Sequence, residues 1–150
     1  METQFKYRAS AYWTLHQHGV IKAEDGIPHT MEFSVPPEFG GEGGMWTPEH
    51  FLLAAVASCF VATFRAIASK SNLDIQNIQV AVEGVIEKQE DSLRFTKITL
   101  HPEALICREE DRALAGRLLV KAERGCLIAR SLSAGIEMRP KVWVEAPTLV

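Results

Sequence analysis

The fold is decided by residues 47–70, which read TPEHFLLAAVASCFVATFRAIASK. Thr47 offers a capping hydroxyl, Pro48 suits the first helical position, and Glu49 places a carboxylate in the first turn. Together these signals predict a helix from Pro48 to about Lys70. The first half of this helix is apolar nearly all round and rich in alanine, which favours a central helix enclosed on several sides.

Strand-like segments lie on both sides of this helix. Before it, short β-rich stretches separated by Gly, Pro and Asp-Gly turns predict a small antiparallel meander within residues 5–35. These stretches are residues 7–15, 19–22 and 30–35. After the helix, residues 78–88 and 93–100 flank the charged turn 89–92, so the region 78–100 is predicted to form a hairpin.

The region 108–145 predicts an amphipathic helix, a bend and a closing strand. Residues 108–124 repeat apolar side chains at helical spacing, with charges elsewhere. Gly125 can close this helix, and residues 126–132 can begin a short second turn with Cys126 at the bend. Residues 136–145 then predict the last strand. Because the order βββ-α-ββ-α-α-β groups its strands, it favours the α+β class, with one domain over residues 1–150.

The composition narrows the classes of protein to consider. The chain has 150 residues, 47% of them hydrophobic, which is enough to bury a core. Its 16 basic and 19 acidic side chains give no electrostatic footprint for nucleic acid or an anionic membrane. The most apolar run, residues 51–64, is shorter than the roughly 20 residues needed to cross a bilayer, and residues 1–10 lack a secretory signal. We therefore expect a cytoplasmic protein without nucleic-acid or membrane partners.

The three cysteines need separate interpretations, because a reducing compartment argues against a disulfide framework. Cys59 lies within the apolar helix, where composition alone allows an ordinary buried and inert thiol. Cys126 has Arg124 and Arg130 nearby and a helix start that directs N–H groups at its sulfur, which favours a thiolate. A small residue tolerated at a tight bend explains Cys126 equally well. Cys107, at a strand-to-helix junction, fills a gap and is assigned no role.

Three histidines fall in the N-terminal part of the chain. His16 and His18 would point to the same side of a strand, and His29 follows them. They suit either a metal site or solvated strand ends. Because no further ligand and no spaced cysteine pair accompany them, we expect solvated side chains and no metal.

Residues 40–60, GGEGGMWTPEHFLLAAVASCF, resemble the signature of the OsmC/Ohr family. In that family a glycine-rich loop, a Pro-Glu pair and an apolar, alanine-rich helix lead to a cysteine. A second family landmark is a cysteine after an amphipathic helix and before a final strand, and residues 122–144 look like it. The resemblance, to the OsmC-like branch, covers essentially the whole chain. It implies antiparallel sheets around a long central apolar helix, in an intertwined obligate homodimer.

The resemblance also implies an activity. Cys59 would attack a hydroperoxide, Cys126 would resolve the product as a disulfide, and Glu49 corresponds to the family's glutamate before the first cysteine. A lipoyl or other small dithiol would reduce the pair again, and no metal or organic cofactor is implied. Apolar residues near Cys59, with Trp46 and Met45, suit alkyl or lipid hydroperoxides as substrates.

One family residue lacks a clear match. The family's catalytic arginine comes from the N-terminal region or from the loop before the helix, where this chain has only Arg8. An approximate alignment places His16-Gln17-His18 at that position. The candidates to replace the arginine are therefore His16, His18 and Arg8.

Two other functions stay open. An OsmC-like dimer without efficient peroxidase turnover would respond to redox conditions or bind a ligand, and the missing arginine favours it. A hotdog-type thioesterase also wraps antiparallel strands around a long apolar helix, with Glu49 as a carboxylate base. The thioesterase leaves the two cysteines unexplained.

Overall fold

A computed structural model describes residues 3–14 and 18–146 of the chain. The chain divides into two compact units, one ending at Leu52 and the other beginning at Leu53. The boundary falls inside the long helix α1 (Pro48–Lys70). A single domain over the whole chain therefore stays a prediction.

The first unit contains an antiparallel sheet in the order β1-β2-β3. Its strands are Ala9–Trp13, Gly19–Ala23 and Thr30–Phe33. Gly19 lies opposite Phe33, and a Cβ atom on Gly19 would stand 2.1 Å from the Phe33 ring. Trp13 packs edge-on against the same ring, with 6.2 Å between ring centroids. The aromatic side chains thus occupy the space that glycine leaves. The meander lies where the sequence predicts it, with β1 and β3 shorter than predicted and β2 one residue longer.

Helix α1 begins and ends on the signals that predict it. The Thr47 hydroxyl accepts a hydrogen bond from the backbone N–H of His50 at 3.3 Å, which satisfies one of the free donors of the first turn. The helix runs for 23 residues to Lys70. Asn72 follows with a φ of 55°, and the N–H of Leu73 bonds to the carbonyl of Ala68. Asparagine tolerates this left-handed conformation, so it closes the helix.

The second unit is built on a long antiparallel hairpin of β4 (Ile75–Gln89) and β5 (Ser92–Ile106). Both strands extend beyond the predicted residues 78–88 and 93–100. The prediction ended the second strand too early, before Pro102. Pro102 pairs with Val80 in the ladder, and β5 continues beyond it because alternate residues face the core.

Two helices and two short strands complete the second unit. They are α2 (Arg112–Gly125), α3 (Leu127–Arg130), β6 (Gly135–Met138) and β7 (Lys141–Val144). The last strand, predicted as one piece over residues 136–145, is split at Arg139-Pro140. Pro140 has no N–H with which to continue the ladder. Both pieces pair with β5 in parallel, so this sheet combines antiparallel and parallel pairing.

The core of the second unit lies between α1, the sheet and α2. One face of α1 buries Val56, Phe60, Phe64 and Ala68, spaced four residues apart. The other core residues are Leu73, Ile98, Leu100, Ala104, Ile106, Ala115, Leu118, Leu119, Ala122, Cys126 and Ala129. Helices packed on one face of a mainly antiparallel sheet confirm the predicted α+β class.

Helix α1 is apolar on more of its surface than the row of residues that faces the core. By length and composition this helix passes the test for a membrane span, with a mean hydropathy of 2.0 over its most apolar window. The row from Val56 to Ala68 nevertheless lies inside the hydrophobic core. Of that apolar window 22% is buried, so α1 supplies one row of side chains to the core of the second unit.

Candidate active site

Cys59 lies in the middle of α1, beside the core-facing row of the helix. Its side chain is partly buried, next to the fully buried Phe60. Thr63, one turn further along, places its Oγ1 atom 4.0 Å from the Cys59 Sγ atom. Residues four apart lie on the same face of a helix, so the hydroxyl can donate to the sulfur.

Cys126 approaches the same place from the bend between α2 and α3. Its φ of −72° and ψ of 106° are extended, so the chain leaves α2 here before α3 begins. The side chain is fully buried, and its Sγ atom lies 3.9 Å from the carbonyl oxygen of Val56 in α1. Val56 lies three residues before Cys59 in α1, Cys59 packs against the same core cluster as Cys126, and both thiols are free. The structure thus brings the two cysteines together.

The surroundings of Cys59 favour its thiolate. Burial is the largest influence and opposes ionisation, but hydrogen bonds from the Ile128 N–H, the Cys126 thiol, the Thr63 hydroxyl and the Leu127 N–H outweigh it. The pKa of Cys59 is therefore lowered from its ordinary value. The two N–H groups belong to the first turn of α3, where backbone donors lack partners within the helix.

Cys126 is affected in the opposite direction. Burial raises the pKa of Cys126, and the nearby Cys59 sulfur raises it further, although the Ala129 N–H acts against both. These opposite directions make Cys59 the more readily ionised thiol of the two. A nucleophilic sulfur near a second thiol is an arrangement that can form a disulfide after oxidation.

The arginines near Cys126 are directed elsewhere. The Arg130 guanidinium pairs with the Glu123 carboxylate, and Arg124 is exposed. The donors to the sulfurs are backbone N–H groups of α3. The helix start that the sequence predicts therefore helps to stabilise a thiolate, and Arg124 and Arg130 do not. These N–H groups act on both sulfurs, those of Leu127 and Ile128 on Cys59 and those of Ala129 and Ile128 on Cys126, and sequence reasoning did not anticipate the effect on Cys59.

Thr63 is the other residue that sequence reasoning missed. Its spacing of four residues from Cys59 on a predicted helix was the available signal. Cys107 lies at the junction between β5 and α2, as predicted, and is partly buried.

Glu49 lies in the first turn of α1, within the first unit. Its Oε2 atom is buried and has no hydrogen-bond partner among the described residues. A buried acceptor without a hydrogen-bond partner costs free energy of folding, so the Glu49 carboxylate stands out in the first unit.

The three candidates to replace the family's arginine have different positions. Arg8 is exposed and pairs with Glu24, with 3.2 Å between Nε and Oε2. His18 contacts Glu42, with 3.2 Å between Nε2 and Oε2. His16 lies outside the described residues. Both described candidates thus have carboxylate partners of their own.

An aromatic cavity of about 380 Å³ opens in the first unit, lined by Gly44, Met45, Trp46 and His50. The Trp46 ring stacks on Phe51, with 5.6 Å between centroids and 13° between planes. The His50 ring is held by Thr47, with 2.7 Å between Nδ1 and Oγ1.

Within residues 3–14 and 18–146, no three His, Cys, Asp or Glu side chains are grouped to hold a metal ion.

The fold and the site together define a class: an α+β protein with a partly buried cysteine on its core helix and a second, fully buried cysteine at the bend between α2 and α3. Comparisons with known proteins agree with this class. A family model described as OsmC-like protein matches residues 41–141. The chain is 30% identical over 138 residues to uncharacterized protein YmaD of Bacillus subtilis (strain 168), covering 90% of this chain and 91% of that protein.

Solved structures share the fold. An OsmC-like protein of unknown function from Vibrio cholerae superposes with a TM-score of 0.81 at 17% identity, covering 91% of this chain and 99% of its own. An organic hydroperoxide resistance protein OsmC from Legionella pneumophila gives 0.74 at 22% identity, covering 95% and 100%. The chain belongs to the OsmC-like family.

Proposed function

We propose that this protein is a thiol peroxidase that reduces organic hydroperoxides with Cys59 and Cys126. The observation that carries the proposal is the position of the Cys126 Sγ atom, 3.9 Å from the carbonyl oxygen of Val56, which lies three residues before Cys59 in α1. The surroundings lower the pKa of Cys59 and raise that of Cys126, which supports a nucleophile and a resolving thiol. Membership of the OsmC-like family and the name of the Legionella pneumophila neighbour fit this chemistry. A structural cysteine pair would not need the two sulfurs to differ in this way.

In the first step, the Cys59 thiolate attacks the distal oxygen of the hydroperoxide. The O–O bond breaks, an S–O bond forms, and the alkoxide leaves with the electron pair of the broken bond. The alkoxide takes a proton and becomes the alcohol, while Cys59 becomes a sulfenic acid. The donors that stabilise the thiolate, at Thr63, Leu127 and Ile128, also hold the sulfur in place for this attack.

In the second step, the Cys126 sulfur attacks the Cys59 sulfenic acid. A disulfide forms, and the sulfenic oxygen leaves as water with the thiol proton. An external dithiol then reduces the disulfide by exchange and becomes oxidised itself. Because Cys126 is fully buried, the exposed route for this reductant is through Cys59.

The substrates we propose are alkyl or lipid hydroperoxides. Apolar side chains near Cys59 in α1, Val56 and Phe60 among them, suit the apolar body of such a substrate.

Glu49 is assigned to the same chemistry by the family resemblance. Its buried Oε2 can accept a hydrogen bond from the substrate or from a cation. The candidates for the cation that would stabilise the leaving alkoxide are His16, His18 and Arg8. Of these, Arg8 and His18 have carboxylate partners.

The functional form we propose is an obligate homodimer. Apolar and small residues such as Ala62 and Ala66 occupy the exposed side of α1, which suits close packing against a second helix. Light scattering coupled to size exclusion should give twice the chain mass, and a folded monomer at low concentration would contradict the dimer.

A redox-responsive or ligand-binding OsmC-like protein without efficient turnover is the alternative. The pairing of Arg8 with Glu24 favours it, because this guanidinium already has a carboxylate partner. Such a protein would still form the disulfide, but slowly and without repeated cycles.

Turnover of cumene hydroperoxide with dihydrolipoamide as reductant separates these functions. The peroxidase predicts rapid peroxide loss that Cys59→Ser abolishes and Cys107→Ser leaves intact, since Cys107 is the matched cysteine outside the pair. If Cys59→Ser leaves the rate unchanged, the proposal is wrong. If oxidation stops after one equivalent per chain despite excess reductant, the alternative replaces it.

A further inference from the structure

The break in the last strand creates a cleft on the sheet of the second unit. β6 pairs with β5 as far as Met138, and β7 resumes at Lys141 opposite Glu103. Between them, Arg139 donates its N–H to the Leu100 carbonyl at 2.8 Å, and Pro140 has no N–H to give. Pro140 thus interrupts the last strand at the level of Pro102, which lies within the continuous strand β5.

This cleft has a volume of about 690 Å³, which lies in the usual range for small-molecule sites. Three strands line it with three consecutive residues each. They are Gln79, Val80, Ala81, His101, Pro102, Glu103, Arg139, Pro140 and Lys141. Because Leu100 and Ala104 are buried against the helices, strand alternation places His101 and Glu103 on the opposite face of the sheet. The cleft is therefore separate from the cysteine pair.

The charge of the cleft is opposite in sign to that of the chain. The chain carries a net charge of −3, whereas the cleft is lined by Arg139, Lys141 and one carboxylate, Glu103. Arg139 also contacts Glu137, which is not part of the lining, in an exposed ion pair with 3.3 Å between Nη2 and Oε2. The Gln79 amide donates to the Glu103 Oε2 atom at 2.7 Å, which engages that carboxylate. Among the residues that the structure describes, Lys141 has no ion-pair partner within 4.0 Å.

We propose that this cleft binds a small organic anion, whose phosphate or carboxylate group is held between Arg139 and Lys141. A guanidinium can donate two parallel hydrogen bonds to such a group, and an ammonium adds a compact positive charge. Ala81 and Pro140 offer an apolar surface for the body of the ligand, and His101 adds a ring donor at the centre.

The test is a titration of the ¹⁵N-labelled full chain with phenyl phosphate and, separately, with benzoate at low ionic strength. We expect saturable shifts of the backbone amides of His101, Glu103 and Lys141. Tighter binding of phenyl phosphate assigns the site to phosphate esters, and tighter binding of benzoate assigns it to carboxylates. Shifts that stay linear in ligand concentration, or that spread over the whole surface, overturn the proposal.

Matched variants make the test specific. Arg139→Gln together with Lys141→Gln should weaken binding about tenfold or more, because two charge-assisted contacts are lost. The Arg139 contact with Glu137 lies at the surface, so the fold should survive this change. Lys88→Gln removes a lysine elsewhere on β4 and should leave the affinity unchanged. Equal weakening by Lys88→Gln would indicate general charge attraction and would refute a built site.

Discussion

Replacing Thr63 with valine removes one donor from the Cys59 thiolate and keeps the branched shape of the side chain. The lost contact joins Oγ1 and Sγ at 4.0 Å, a long distance even for a sulfur acceptor. A hydrogen bond to a charged group stabilises by about 1.5–3 kcal/mol, so we take ~1 kcal/mol for this long one. That corresponds to roughly a fivefold smaller thiolate population below the Cys59 pKa. Because Thr63 lowers the pKa of Cys59, its loss moves ionisation to higher pH.

The assay is the pH dependence of Cys59 alkylation by iodoacetamide, measured by mass spectrometry in a Cys107→Ser background. Thr63→Val should shift the rate profile to higher pH and slow alkylation at neutral pH about fivefold. Thr63→Ser keeps the hydroxyl and should keep the parent profile. If Thr63 contributed only packing, its replacement would change the stability of the protein and leave the pH profile of Cys59 alkylation unchanged. If Thr63→Val and the parent have superimposable profiles, the role given to Thr63 is wrong.

Two further predictions test the core and the carboxylate. Phe64→Ala should lower the free energy of unfolding in urea by about 3–5 kcal/mol, because Phe64 is fully buried and stacks on Phe60 at 6.4 Å. Leu93→Ala, at an exposed position of the hairpin, should cost about 0.5 kcal/mol or less, and equal costs would contradict this core. Glu49→Gln should reduce peroxide turnover about tenfold or more while Cys59 alkylation stays normal, and unchanged turnover would remove Glu49 from the mechanism.

Helix α1 was predictable to the residue because local signals determine it. The hydroxyl of Thr47, the proline after it and the asparagine beyond Lys70 act within one or two turns, where sequence and structure correspond closely. The order of the strands around the helix was predicted, but their lengths were not, and the last predicted strand is two strands, β6 and β7. The predicted strand over residues 93–100 continues through Pro102, because pairing with β4 continues on both sides of that residue.

The site was less predictable than the fold. The resemblance to the family selected Cys59 and Cys126, and the structure places their thiols together. Sequence could not supply what activates Cys59, since its donors at Leu127 and Ile128 are backbone groups from a helix almost 70 positions away in the chain. The arginines at positions 124 and 130 looked like the activating charges but are turned to a carboxylate or to the exterior. Proximity in sequence was a poor guide to proximity in space.

Thiol counting after oxidation tests the central claim most directly. The reduced chain has three free thiols, and Ellman's reagent under denaturing conditions should report all three. One equivalent of cumene hydroperoxide without reductant should lower the count to one per chain, with a single peptide pair linked through Cys59 and Cys126. A count that stays at three, or a bridge that includes Cys107, would contradict the account.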